Sequence, residues 1–253
     1  MELDWRVIDR WIFGEAWTGS KVVEHAAVLW EEIGPRWASS DREKKAVEYI
    51  RGQFVGMGLA GVGLEEFELN TWAHGRAEAR VDDFALDLLP YNRCPACALE
   101  VPIVDAGFGT ERELDKVRDQ LKGRVAVMHL AMEPFTTPVP ANIRLEALAE
   151  AGVVGVVAID PKDGRRVEYH NGGDWREPET AELPFPAVTT SREHGRLLQQ
   201  WAKEGRRLKL VVESRFYPAP AHNVVGEIPG AQWPGERLVL GGHHDTVYGV
   251  PGG

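Results

Sequence analysis

Apolar residues recur at helical spacing in two early segments of the chain. Between Lys21 and Ile33 the positions Val22, Val23, Ala26, Ala27, Leu29, Trp30 and Ile33 are apolar, which predicts an amphipathic helix with a wide apolar face. Gly34-Pro35 ends it. A second helix is predicted to open at Ser40, whose hydroxyl can cap free amides while Glu43 completes a Ser-x-x-Glu capping box. Ala46, Val47, Ile50, Phe54 and Met57 form its expected buried stripe, with Gly58 as its C-terminal cap. Polar and apolar residues then alternate from Glu66 to Thr71, the pattern of a half-buried strand.

The rhythm changes after about Val81, where short apolar runs are interrupted by prolines. Val101 to Gly109 opens on a strand-like run and precedes a charged helix, Gly123 to His129 and Val153 to Ile159 read as strands, Ile143 to Ala151 as a helix, and Leu183 to Ser191 leads into a helix with Leu197 and Leu198. We expect residues 82–213 to form a separately packed, strand-rich insertion, and residues 1–81 with 214–253 to form the flanking domain.

Near the end, Val224, Val225 and Ile228, then Leu238, Val239 and Leu240, form two apolar runs separated by the turn-rich stretch Pro229 to Gly235. Leu238 to Gly242 is apolar on both faces, as expected for an interior strand covered by helices. His243 and Asp245 are therefore expected at the carboxyl end of that strand. Residues two apart on a strand share a side, so both would face one open pocket. A neutral imidazole is a zinc ligand, and a neighbouring carboxylate can fix its tautomer and raise its basicity. The His-x-Asp triplet alone is a weak sign.

Composition narrows the function classes. A chain of 253 residues with 43% hydrophobic content can bury a sizeable core in one or two domains. The net charge of -10 and sequence pI near 5.4 argue against nucleic-acid and anionic-membrane partners. The first ten residues lack a basic start followed by an apolar segment, and no stretch approaches a membrane span. As written, the chain is expected to be cytoplasmic.

Other features read as structural. Cys94-Pro-Ala-Cys97 has no second ligand pair at zinc-ribbon spacing and no strand-to-helix context, so it reads as a loop with two unremarkable or optionally bridged thiols. Gly107-Phe-Gly109 lacks the remaining signature of a phosphate loop and reads as a turn. His25 and His129 read as satisfied structural histidines, Tyr169 to Asp174 as a glycine-rich loop that could touch substrate but is read as solvated, and the nine tryptophans as packing residues. No Gly-x-Ser-x-Gly elbow is present.

The run Asn223-Val-Val-Gly-Glu-Ile-Pro-Gly230, followed after a short linker by Leu238-Val-Leu-Gly-Gly-His-His-Asp-Thr246, resembles the zinc aminopeptidase and glutamate carboxypeptidase family of co-catalytic metallopeptidases. Ile33-Gly-Pro-Arg-Trp37 before the second helix resembles the start of the same peptidase domain. The order of elements in the middle, centred on Glu146 to Gly155, resembles the protease-associated domain found inserted in several branches of that family. The resemblance implies an α/β fold: part of a zinc-peptidase α/β/α sandwich with a mixed sheet, interrupted by a β-rich insertion.

It also implies that His243 is a metal ligand and Asp245 its orienter in the catalytic site, with His244 in the variable middle position, pointing the other way. A complete site in the family holds two zincs. The bridging aspartate, the Glu-Glu pair and the last ligands have no counterpart here, so the chain reads as the N-terminal portion of a larger enzyme, inactive alone. The implied substrates are peptides or N-acyl amino acids, and homo-oligomerisation stays open. The alternative is a non-catalytic module that binds peptide or protein through the inserted domain.

Overall fold

The computed structural model describes residues 4–171, 183–233 and 235–247. The chain divides into two compact units, one of Met1–Leu69 with Pro220–Gly253 and one of Asn70–Ala219.

The first unit begins with α1 (Trp5–Thr18) and α2 (Val22–Ala27), which runs directly into a single π-helical stretch, Val28–Ile33. Gly34 stops it with a φ of +77°, a left-handed geometry that glycine adopts without strain. The expected apolar face of this segment is not buried as a whole. Ile33 is covered, whereas Val22, Val23 and Trp30 are exposed. α3 (Asp41–Gly56) starts where Ser40 was expected to cap it, the Ser40 hydroxyl accepting from the Glu43 N–H at 3.1 Å.

The capping box is only half formed, however. The Ser40 N–H donates to the Trp37 carbonyl, and the Glu43 carboxylate turns inward instead of reaching back. On α3, Ala46 and Val47 are buried and Ile50 and Phe54 half-buried, but Met57 lies past the last turn and is exposed. Gly58 follows in the left-handed region at φ +76°, as a helix C-terminus prefers. Packing is tight where a Cβ on Gly226 would stand 3.1 Å from both Phe54 and Leu59.

Leu238 to Gly242 is not a strand. Leu238, Val239 and Leu240 are 88%, 85% and 88% exposed, with no regular secondary structure from residue 236 to 247. An apolar run becomes a strand only when a neighbour takes its backbone hydrogen bonds, and none of the described residues pairs with this one. Periodicity reports suitability for a sheet, not the presence of a partner.

The second unit is built on a mixed sheet with strand order β2-β1-β8-β4-β5-β6-β7-β3. Its strands are β1 (Ala60–Val81), β2 (Phe84–Leu86), β3 (Leu88–Pro90), β4 (Cys97–Asp105), β5 (Val125–His129), β6 (Gly155–Ile159), β7 (Ala187–Thr190) and β8 (Arg207–Glu227). β1 and β8 contribute residues to both units. β4, β5, β6 and β7 are parallel, while β8 on β4, β2 on β1 and β3 on β7 are antiparallel. β6 and β7 are buried along their whole length, as parallel strands covered on both faces must be.

Alternate side chains of these strands meet different helices. Val104, Ala126, Met128, Val156 and Ala158 form one core with Leu114, Leu121, Leu145 and Leu148 of α4 (Glu111–Leu114), α5 (Arg118–Leu121) and α6 (Ala141–Glu150). α7 (Arg192–Lys203) packs against β4, β5 and β6 and meets Ile159, whose side chain alternates to the opposite face from Ala158. β5 and β6 fall within the runs read as strands, and α6 overlaps the run read as a helix but starts at Ala141, before Ile143.

The buried-aromatic expectation holds for Trp72 but not for Trp5, Trp11, Trp17, Trp30 and Trp233, all exposed. Asp174 and its neighbouring glycines, within the expected solvated loop, lie outside the described residues, while His170 is half-buried with its ring against Tyr91. Gly107 and Gly109 form a turn with φ of +57° and +67°. Among the described residues no helix is long and apolar enough to cross a membrane.

Candidate metal-binding site

The segment carrying His243 and Asp245 takes its shape from side chains of the first unit, in the absence of a strand ladder. Arg36, just after the Gly34-Pro35 break, is buried, and its guanidinium donates to the carbonyls of His244, Leu29 and Gly34. Its backbone also engages Thr246, itself buried. Burial lowers the guanidinium's pKa, and the Asp245 carboxylate opposes that shift. From α3, the Glu43 carboxylate is 1% exposed and lies 3.1 Å from Nε2 of His244. A carboxylate only accepts, so the His244 Nε2–H donates. His244 thus turns inward toward α3.

His243 takes the other orientation, its side chain 72% exposed. Its Nδ1 lies 3.2 Å from Asp245 Oδ1 and 3.0 Å from the Asp245 carbonyl oxygen, so the Nδ1–H donates to acceptors two residues on. That leaves Nε2 as the nitrogen with a lone pair facing outward. The imidazole and carboxylate are close, as the spacing predicts, although they lie on irregular chain and at no strand end.

The donor set can be compared with what zinc requires. Zinc-binding imidazoles commonly donate their second N–H to a carboxylate or carbonyl, which is the arrangement at His243. Zinc sites also need three or four protein ligands. Among the described residues no three His, Cys, Asp or Glu side chains converge on one point, so His243 and Asp245 fit one ligand and its orienter. The two cysteines do not add to them. Both are free thiols in the second unit, and burial pushes Cys94 up to about 12 and raises Cys97. Cys94 instead offers its carbonyl to Trp72 Nε1 and the Ser214 hydroxyl.

Sequence reasoning missed Arg36, Glu43 and Thr246 as parts of this site. Arg36 stood within the Ile33-to-Trp37 run already noted, and Glu43 was read as a cap, but nothing in local spacing reveals a contact between residues some 200 positions apart. His25 and His129 are structural, as expected: His25 Nδ1 is 2.7 Å from the Tyr49 hydroxyl, and His129 stacks near Phe108.

No family model matches the chain. Carboxypeptidase Q of Bos taurus is 25% identical over 258 residues, covering 95% of this chain and 52% of the bovine protein. The chain therefore spans about half the length of the curated relatives it matches. Among solved structures, the peptidase M28 precursor of Shewanella amazonensis shares the fold with a TM-score of 0.72 at 21% identity, over 92% of this chain and 56% of that one. BSAP, a zinc aminopeptidase from Bacillus subtilis, aligns with a TM-score of 0.62 at 18% identity, over 80% of this chain and 45% of the other. The chain is thus similar along nearly its whole length to carboxypeptidase Q, and it shares its fold with a peptidase M28 precursor and a zinc aminopeptidase.

Proposed function

We propose that this chain forms part of a zinc-dependent exopeptidase that hydrolyses peptide or N-acyl amino-acid bonds. The observation that carries the reading is the His243 imidazole, held through Nδ1 by Asp245 with Nε2 facing out. When bound, zinc supplies Lewis acidity for a carbonyl oxygen and acidifies a water to near neutrality. The chain's own residues do the positioning. Asp245 keeps the proton on Nδ1 of His243, which leaves Nε2 basic and directed away from the fold.

We further infer that residues 82–213 are a protease-associated insertion. The compact second unit and the order of its strands and helices support this. The same reading makes the 253 residues alone a poor catalyst, since a site with one imidazole ligand binds zinc weakly.

The test is to assay zinc-loaded protein on aminoacyl, dipeptide and C-terminal substrates. Two forms are compared: the 253-residue chain, and a longer protein in which this chain is joined to the remaining ligands. The expected result is zinc-dependent turnover in the longer protein that is lost on His243→Ala, and none in the 253 residues. Full activity in the longer His243→Ala variant would overturn the assignment of the ligand.

A further inference from the structure

Glu43 is an acid with an unusual position. It lies on the first turn of α3, where exposed carboxylates ordinarily gather, yet it is 1% exposed and its Oε2 has no hydrogen-bond partner among the described residues. A buried, half-satisfied carboxylate is destabilising unless something compensates for its desolvation. Its one contact of consequence is Oε1 to Nε2 of His244, the residue between His243 and Asp245. On the other side of the same segment, Arg36 donates to the His244 carbonyl and exchanges backbone and hydroxyl bonds with Thr246.

Residues 236–247 have no regular secondary structure, and among the described residues the His243 ring hydrogen-bonds only to Asp245. The grip on His244 and Thr246 is therefore what fixes the backbone from which His243 and Asp245 project. We propose that Glu43 and Arg36 act as positioning residues that lock His243 and Asp245 into the Nδ1–H, Nε2-outward arrangement needed for zinc. This proposal rests on His243 being a zinc ligand, but its own evidence is the order of the ring before metal arrives. Neither side chain touches substrate or metal. Glu43 acts through the His244 ring, Arg36 through the His244 carbonyl and Thr246.

The test reads the ring directly. In the 253-residue chain, long-range nitrogen-proton NMR reports which nitrogen of His243 carries the proton, and titration with zinc ion alone reports Nε2 affinity. Glu43→Ala is expected to move His243 toward mixed tautomers and to lower zinc affinity roughly 10-fold, as loss of an orienting group does. Glu43→Gln, which keeps an oxygen acceptor for the His244 N–H, is expected to restore the wild-type tautomer. If Glu43→Ala does not fold, His244→Ala breaks the same contact from its accessible end and is read the same way. An unchanged His243 tautomer in a folded Glu43→Ala or His244→Ala protein overturns the proposal. So does a wild-type ring protonated on Nε2. A purely structural role would lower stability without moving the tautomer. The functional reading fails separately, if His243→Ala leaves activity intact in the longer protein.

Discussion

Arg36 and Thr246 bind each other twice: the Arg36 N–H donates to Thr246 Oγ1 at 2.9 Å, and the Thr246 N–H donates to the Arg36 carbonyl at 3.1 Å. Both residues are buried, so neither group can turn to water instead. Thr246→Val keeps the shape and deletes the acceptor, stranding a buried amide at a cost of about 1–3 kcal/mol. Thr246→Ser keeps the oxygen and should lose much less. Urea unfolding of the two variants checks this, and equal midpoints would show that the hydroxyl contributes nothing.

Asp245→Asn tests the orienting role proposed for that carboxylate without changing its size. The amide oxygen can still accept from the His243 Nδ1–H but carries no charge, so the imidazole should be less basic. Zinc affinity of the longer protein should fall roughly 10- to 100-fold, measured by competition with a chelating dye. Unchanged affinity would leave Asp245 with no part in the site.

Gly195 of α7 is required by its neighbour on β6. A Cβ there would stand 2.5 Å from Ile159 Cγ2, and that side chain is β-branched and fully buried. Alanine would gain up to about 1 kcal/mol of helix propensity. The overpacking penalty of about 1–3 kcal/mol is larger, so Gly195→Ala should be net destabilising. A gain in thermal midpoint would show that α7 can move away from the sheet.

Acid should weaken the second unit through two histidines. Burial is the main cause lowering the pKa of both His129 and His170. Asp105 opposes the shift at His129, while Glu168 and Asp160 oppose it at His170. A histidine with a lowered folded pKa binds fewer protons when folded than when unfolded. Its contribution is therefore complete above the unfolded value of about 6.5 and is lost as pH falls from there toward the folded value. The urea midpoint should drop between pH 7 and 5, and less steeply in a His129→Gln, His170→Gln double variant. Parallel slopes in the two proteins would assign the acid sensitivity to other groups.

Cys94 should react slowly with a thiol reagent while the protein is folded. It is fully buried with its pKa pushed up to about 12, so almost none is thiolate near neutral pH. Rapid stoichiometric labelling of Cys94 at pH 8 would contradict that burial.

The legible parts of this fold are those held together by local pattern. Ser40, Gly34 and Gly58 punctuate α3 and its neighbours as read, because capping and left-handed turns are decided within a few residues. β5 and β6 were readable because each buries nearly its whole apolar run, and α6 because Leu145 and Leu148 turn inward at helical spacing, although Ile143 stays exposed. The misreadings share one origin. Leu238 to Leu240, Trp30 and Met57 have the chemistry of buried residues, and burial depends on partners that spacing does not encode. Glu43 failed differently. A capping box and a long-range tie to His244 demand the same residue type at the same place, and only the fold shows which one the side chain makes.

The distribution of tryptophan has an optical consequence. Trp72 is shut away with its indole N–H bonded to the Cys94 carbonyl, while Trp5, Trp11, Trp17, Trp30 and Trp233 stand largely in solvent. Emission from the native chain should therefore already be red-shifted and readily quenched by iodide or acrylamide, with a small shielded fraction from Trp72. Bulk fluorescence would then change little on denaturation and understate the loss of the sheet, whereas a variant keeping Trp72 as its single emitter would report on the core of the second unit.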